Sequence, residues 1–233
     1  MPHLLALDSS TDTMALALVT PGRTEVFEAA GGAQASARML PEIQALLAGA
    51  GLTMAQLDAV AFGQGPGAFT GLRTACAVAQ GLAFGLGKPV LAVDSLMLVA
   101  EDARAQGAGD DVWVAMDARI GEIYAARYHW ERGAWQVVEA PALYAPDALA
   151  AHWGRPAAVA GTALTEYAAA LGALPDGVRA WPQARSRAAA LGALALAAWQ
   201  RGETLDAADA LPVYVRDKVA LTTAEREQKA LAS

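Results

Sequence analysis

A chain of 233 residues that is 55% hydrophobic and only 18% charged has ample material for buried cores and could form one large or two small domains. Its net charge of −7 argues against a protein that grips nucleic acid by itself, because such proteins carry a basic face to neutralise phosphates. No apolar run reaches membrane-spanning length, no basic leader precedes Leu4, and the single Cys76 allows no internal disulfide, so a reducing, cytoplasmic setting is expected, with Cys76 a packed core thiol.

In chain order, Leu4 to Leu7 is a short apolar strand ending at Asp8. Ser9 to Thr13 turn the chain into a second strand, Met14 to Val19, and Pro21-Gly22 turns it into a third, Arg23 to Ala29, which predicts an antiparallel meander. After the Gly31-Gly32 break, Met39, Leu40, Ile43, Leu46 and Leu47 recur at helical spacing, and Gly49 and Gly51 stop that helix. Leu57 to Phe62 predicts a strand, Thr70 to Leu86 a helix rich in small residues, and Pro89 to Val93 a further strand; Ser95 is expected to cap a helix running to about Ala105. The loop Gln106-Gly107-Ala108-Gly109-Asp110 is the best boundary, so residues 1–106 form a first lobe.

The second lobe, 107–210, opens as the first did. Val112 to Met116 is an apolar strand ending at Asp117, Ala118 to Gly121 a polar turn, and Glu122 to Tyr128 the return strand. Asp8 and Asp117 thus stand at equivalent ends of two similar hairpins, which an internal duplication explains; the bland alternative is that both are ordinary turn residues. All the tryptophans fall in the second lobe, where core packing is their default role. Ala184 to Trp199 is an alanine-rich helix expected on the second sheet. Within the last segment, 211–233, Leu211 to Ala220 is expected to return near the cleft between the lobes, and Thr222 to Ser233 to be a partly disordered polar tail.

Between the fourth strand and its helix lies Gly63-Gln64-Gly65-Pro66-Gly67-Ala68-Phe69-Thr70-Gly71-Leu72-Arg73, with Thr70 as the expected cap. Glycine lets another backbone or a phosphate come close, and a helix start carries partial positive charge, so either an anion site or a tight turn without ligand fits. Gly63, Gly65 and Ala68 match the dinucleotide pattern G-x-G-x-x-G/A, with Asp94 where a ribose-binding acid would stand, although Pro66 removes an N–H from the loop. A P-loop is excluded, since the nearest downstream lysine is Lys88 at the far end of the helix.

Two α/β lobes, each begun by a hairpin bearing an Asp, make the layout of the actin, hexokinase and Hsp70-type (ASKHA, ribonuclease H-like) superfamily, in which paired hairpins embrace nucleotide phosphates and metal. The candidate anion or nucleotide loop is then Asp8, Ser9, Ser10, Thr11, Gly65, Gly67, Asp117 and Arg119. More specifically, LLALDSST (Leu4 to Thr11), GQGPGAFTGLR (Gly63 to Arg73), MDARIGEIY (Met116 to Tyr124) and LPVYVR (Leu211 to Arg216) resemble, in this order, the hallmark segments of the TsaB family, also called YeaZ. That resemblance implies a bacterial subunit of the machinery that makes N6-threonylcarbamoyladenosine beside the tRNA anticodon. There the homologue TsaD transfers the threonylcarbamoyl group from threonylcarbamoyl-AMP, with TsaB as its obligatory non-catalytic partner and the ATPase TsaE as regulator. It further implies a heteromer with TsaD, a homodimer when alone, tRNA contact only through the complex, and no membrane partner. The alternative is a stand-alone nucleotide-binding ATPase or phosphotransferase of the superfamily.

The residues speak against independent chemistry. TsaD-type catalysis needs a His-x-x-x-His pair on one helix face, whereas His3, His129 and His152 are far apart, so no metal site is expected. No G-x-S-x-G elbow occurs either. Active relatives place glycine just after the hairpin Asp; here Ser9 and Ser10 follow Asp8, and Ala118 and Arg119 follow Asp117. No catalytic residue and no cofactor of its own are expected, with weak or shared ATP/ADP binding through Ser9, Ser10 and Thr11 left as an option. Ala35 stands where many family members carry a histidine, so no role passes to that position.

What remains is a surface. Gly71, Ala75, Val78, Ala79 and Leu82 on the small-residue helix, with Met39, Leu40, Ile43 and Leu47 on the helix before it, are expected to form a docking face that Ala79→Trp would block without harming the fold. The competing reading is that both helices spend those faces on their own sheet.

Overall fold

The computed structural model describes residues 1–32, 35–185 and 187–216. Expectations for the polar tail, and for the last residues of the returning segment, lie outside them.

Leu4–Asp8 (β1) is buried on both faces, as its unbroken apolar run requires. Thr13–Thr20 (β2) returns antiparallel with Leu7 opposite Leu16, and Arg23–Ala30 (β3) closes the meander as a partly exposed edge strand. Ala59–Gly65 (β4) and Val90–Asp94 (β5) add parallel strands, giving the order β3-β2-β1-β4-β5. Parallel pairing needs a crossover, and Ala35–Gly49 (α1) and Phe69–Leu86 (α2) supply the two.

The second sheet repeats this plan. Asp111–Asp117 (β6), Ile123–Glu131 (β7) and Ala134–Tyr144 (β8) form the meander, and Ala158–Ala160 (β9) and Arg179–Trp181 (β10) the parallel extension. Its order, β10-β9-β6-β7-β8, is the first sheet's order read from the other edge. The duplication is therefore present in the topology of a two-lobed α/β fold.

Alternation along the strands sorts the cores. Leu5, Leu7, Leu16, Val60 and Phe62 share one cluster with Met39, Ile43, Ala75 and Ala79 of α1 and α2. Leu4, Ala6, Ala15 and Ala17 point the other way, into a cluster completed by Ser95–Ala105 (α3), Ala188–Gln200 (α7) and the Val112, Val114 and Met116 face of β6. On the far side of the second sheet, Trp113, Ala115, Ile123 and Val159 pack against Pro146–His152 (α4), Ala163–Glu166 (α5) and Ala168–Leu171 (α6). The result is a stack of five layers with α3 and α7 in the middle.

That middle layer corrects one expectation. The alanine-rich helix α7 lies between the sheets and packs chiefly on β1, β2, β3 and β5 of the first, rather than chiefly on the second. A Cβ at Gly192 would come within 2.9 Å of Thr24 Cγ2 and 3.2 Å of Ala17 Cβ, so the helix lies close on that sheet. Conversely α3, from the first half, contacts β6, β7 and β9 as well as β4 and β5. A helix apolar all round, as AAALGALALAAWQ is, has no polar stripe to assign it to either sheet, and only Ala189, Ala193 and Gln200 of it are exposed.

Two caps also differ. Asp94, not Ser95, caps α3: its Oδ1 accepts from Leu96 N at 2.8 Å and Met97 N at 3.3 Å, while Ser95 Oγ accepts from Gly65 N at 3.1 Å. The cap position of α2 is Ala68, and Thr70 lies inside the helix, its carbonyl accepting from Thr74 Oγ1 at 3.0 Å.

Candidate functional site

Between the lobes lies a cavity of about 520 Å³. Its walls come from the β1–β2 turn (Ser10, Thr11, Asp12), the glycine loop (Pro66, Gly67, Ala68), the start of α3, the β6–β7 turn (Asp117, Arg119, Ile120), Glu166, and the returning segment Val213 to Arg216. The two hairpins predicted from the duplicated Asp thus do face one cleft.

The first hairpin is fastened into the protein. Asp8 is fully buried, and its carboxylate accepts from Ser10 N at 3.3 Å and Ser10 Oγ at 2.9 Å. Ser9 Oγ donates to Gly71 O at 2.8 Å, and Ala68 N, at the start of α2, donates to Ser10 O at 2.7 Å. The glycines explain how this is possible. An added Cβ would lie 1.9 Å from Asp8 Oδ1 at Gly63, 2.5 Å from Ser10 O at Gly67, 1.7 Å from Ser9 O at Gly71, and 2.4 Å from Val213 O at Gly65, where φ is +120°. The loop's bare backbone is used to approach the chain itself, backbone at three of these glycines and the Asp8 carboxylate at Gly63. Of the predicted anion-loop residues, Ser10, Thr11 and Gly67 reach the cavity wall with Asp117 and Arg119; Asp8, Ser9 and Gly65 do not.

The dinucleotide reading is corrected in the same way. Besides capping α3, Asp94 accepts from Tyr128 Oη at 2.7 Å, so both carboxylate oxygens are spent inside the protein and none faces a ribose. Burial pushes the Asp94 carboxyl up, more than the bonds from Tyr128, Leu96 and Met97 lower it, and the same burial beside Asp94 drives the Tyr128 phenol well above its ordinary range.

The second hairpin is bonded differently. Asp117 Oδ1 accepts from Arg119 N and from Tyr167 Oη, each at 2.7 Å, and Oδ2 pairs with Arg119 Nη1 at 2.9 Å. Arg119, Ile120 and Gly121 run consecutively through the left-handed region at φ 63°, 57° and 76°, a conformation a β-branched Ile adopts at a cost. Ile120 is 74% exposed at the cleft mouth. Desolvation first, then the bond to Asp117, raises the Tyr167 phenol. Among the described residues of the cavity wall, Asp12, Asp117 and Glu166 are acidic, and the two cations, Arg119 and Arg216, are paired with Asp117 and Glu122. Tyr167 escaped the sequence reading because it lies in a stretch without strong periodicity.

The docking face is also corrected. Met39, Ile43, Leu47, Gly71, Ala75 and Ala79 are buried in the chain's own core, so they offer no surface, and Trp at position 79 would disrupt the fold. Leu40 is 43% exposed and Val78 and Leu82 are half-buried. The outward row of α2 is Arg73, Ala77, Gly81 and Phe84, with Phe84 78% exposed. The competing reading of those helices applies to the inner row.

Cys76 is buried with Sγ 3.2 Å from Ala210 O, and burial pushes its thiol up. Among the described residues no group of three or more His, Cys, Asp or Glu is placed to hold a metal, and no helix is long and apolar enough to cross a membrane.

Residues 24–220 match the model of the family described as TsaD, tRNA N6-adenosine threonylcarbamoyltransferase. The solved structure of YeaZ from Pseudomonas aeruginosa superposes with a TM-score of 0.84 at 38% identity, over 92% of this chain and 100% of that one. The chain belongs to the TsaB (YeaZ) family. It is 35% identical over 146 residues to the tRNA threonylcarbamoyladenosine biosynthesis protein TsaB of Escherichia coli strain K12, covering 62% of this chain and 63% of that protein. With the TsaB of Haemophilus influenzae it shares 43% over 122 residues, 52% of this chain and 51% of that protein. The matched part therefore spans between half and two thirds of these curated TsaB relatives. The four segments that carried the resemblance meet at one place, since β1 with its turn, the glycine loop, the β6–β7 hairpin and Leu211 to Arg216 all border the cleft.

Proposed function

We propose that this chain is a non-catalytic subunit that acts with a TsaD-type transferase, and with TsaE, in moving the threonylcarbamoyl group from threonylcarbamoyl-AMP to the adenosine beside the tRNA anticodon. The observation that carries the reading is the first hairpin: Asp8, Ser9 and the glycines at 63, 67 and 71, which a working nucleotide cleft would turn towards a ligand, are spent on one another. A polyphosphate entering the cavity would meet Asp12 and Glu166, with both wall arginines already paired, so ATP or ADP is held, where it is held, in a site shared with a partner. The names of the relatives supply the pathway. A chain of net charge −7 meets tRNA through the complex, in the cytoplasm.

The partner surface is the outer side of α1 and α2, centred on Leu40, Ala77, Val78, Leu82 and Phe84, where small residues let a second helix approach. It pairs two copies when the chain is alone and TsaD when TsaD is present. The deciding experiment is threonylcarbamoylation of unmodified tRNA by the other purified components with and without this chain. Product is expected only when it is included; full activity without it overturns the role. Tight ATP binding and turnover by the isolated chain would instead favour the stand-alone ATPase. For the surface, Ala77→Trp is expected to shift light scattering to the monomer while circular dichroism is unchanged.

A further inference from the structure

The segment that returns to the cleft is attached unequally to the two lobes. Its approach is pinned to the first lobe: Leu205 exchanges backbone hydrogen bonds with Val90 at 2.8 and 2.9 Å, Gln80 Nε2 donates to Ala207 O at 2.9 Å, and Cys76 Sγ lies 3.2 Å from Ala210 O. Beyond Ala210, Val213 N donates to Gln64 O at 2.7 Å, and Arg73, its Cζ 3.6 Å from the centroid of the Phe69 ring, donates from Nε to Tyr214 Oη at 2.9 Å. Only then does the chain cross to the other lobe, where Arg216 Nη2 donates to Arg119 O at 3.1 Å and pairs with Glu122 Oε2 at 2.6 Å.

We infer that Leu211 to Arg216 is a releasable latch across the cleft, hinged at Ala210 on the first lobe and clasped to the second by the Arg216 guanidinium. Apolar contact holds the segment at two places, where the Tyr214 ring meets the Phe69 ring of the first lobe at 5.0 Å and where half-buried Val215 packs on the central core, while Leu211, Val213 and Tyr214 stay 66%, 42% and 41% exposed. Beyond these the grip on the second lobe is one carbonyl hydrogen bond and one ion pair, its arginine side chain 13% exposed and its acid 38%, which is small beside the ladders of the two sheets. Such a grip opens locally long before the sheets do. The clasp lands on the carbonyl of Arg119, the first residue of the left-handed run, so it also steadies the strained turn that forms the opposite lip. Because Val213 to Arg216 form one wall of the cavity, release uncovers it from the side. This inference concerns the isolated chain and does not depend on the tRNA reading.

Amide hydrogen exchange on the full chain tests it, comparing wild type with Arg216→Ala and Glu122→Gln. In Arg216→Ala the Val213 amide and the amides of the 117–122 turn are expected to exchange about tenfold faster, with a smaller acceleration at the same places in Glu122→Gln, and with β1 and β6 unchanged. Labelling of Cys76 by a thiol reagent should stay as slow as in wild type, because the hinge anchor persists. Unchanged exchange at Val213 in both variants overturns the latch. So does equal acceleration in β1 and β6, or fast labelling of Cys76, since Arg216 would then be holding the whole fold.

Discussion

The two hairpins occupy equivalent places in duplicated sheets, yet they have opposite characters. The turn after Asp8 is sealed: Asp8, Ser9 and Ser10 are all at most 2% exposed, Gly67 and Gly71 lie against the backbone of Ser10 and Ser9, and Gly63 lies against the Asp8 carboxylate. The turn after Asp117 stands at the cleft mouth, left-handed, with Arg119 75% exposed at its side chain and nothing within 4 Å of a Cβ placed on Gly121. Among the described residues of the second lobe, Gly161 is the glycine pressed against backbone, its Cβ 2.3 Å from Ala115 O, and it serves strand packing rather than the turn. Topology was copied; the contacts that make one hairpin scaffold and the other an adjustable lip were not.

Substitutions should separate the two in order of size. Gly71→Ala drives a Cβ into the Ser9 carbonyl and is expected to cost about 4 kcal/mol or more, lowering Tm on the order of 10 °C in calorimetry. Asp8→Ala leaves the buried Ser10 N–H and hydroxyl short of their acceptor, for a loss of about 1–3 kcal/mol by denaturant unfolding. In the other hairpin, Gly121→Ala meets only the cost of a left-handed residue, about 1 kcal/mol, and an effect as large as that of Gly71→Ala would erase the contrast. Tyr167→Phe removes one bond to Asp117 and should cost about 1 kcal/mol, with faster exchange confined to the 117–122 turn.

The smallest effect is visible only against pH. Burial holds the folded-state pKa of Asp94 above 3.8, so the folded chain keeps a proton that the unfolded chain releases. Its contribution to stability is therefore fully present below the unfolded pKa and declines as pH rises through the folded one. Asp94→Asn, which cannot ionise, is expected to gain stability relative to wild type as pH is raised from 3.8; parallel pH profiles would show that Asp94 does not titrate in this way.

Much of the first lobe was legible because its signals are local. Asp8 and Asp117 end apolar runs, Gly49 and Gly51 stop a helix, and strand alternation announced which residues turn inward. The stretch from Ala134 to Trp181 was not legible: β8 is an edge strand without clean alternation, and α5 and α6 are single turns too short for periodicity. The docking face was misplaced for a related reason. On α2 the small residues at 71, 75 and 79 and those at 77, 81 and 85 look alike in sequence, and only packing against Leu5, Leu7 and Phe62 decides which row faces in.

By itself the sequence determined the elements whose causes lie within a few residues, the duplicated hairpins, and the family, because motif spacing and hydrophobic period are written along the chain. Tertiary structure alone decided which sheet α7 covers, that the glycine loop holds the protein's own Asp8 turn, and that Arg216 reaches the opposite lobe. Each of these is a contact between residues distant in sequence, where several partners satisfy the same local pattern and close packing admits one.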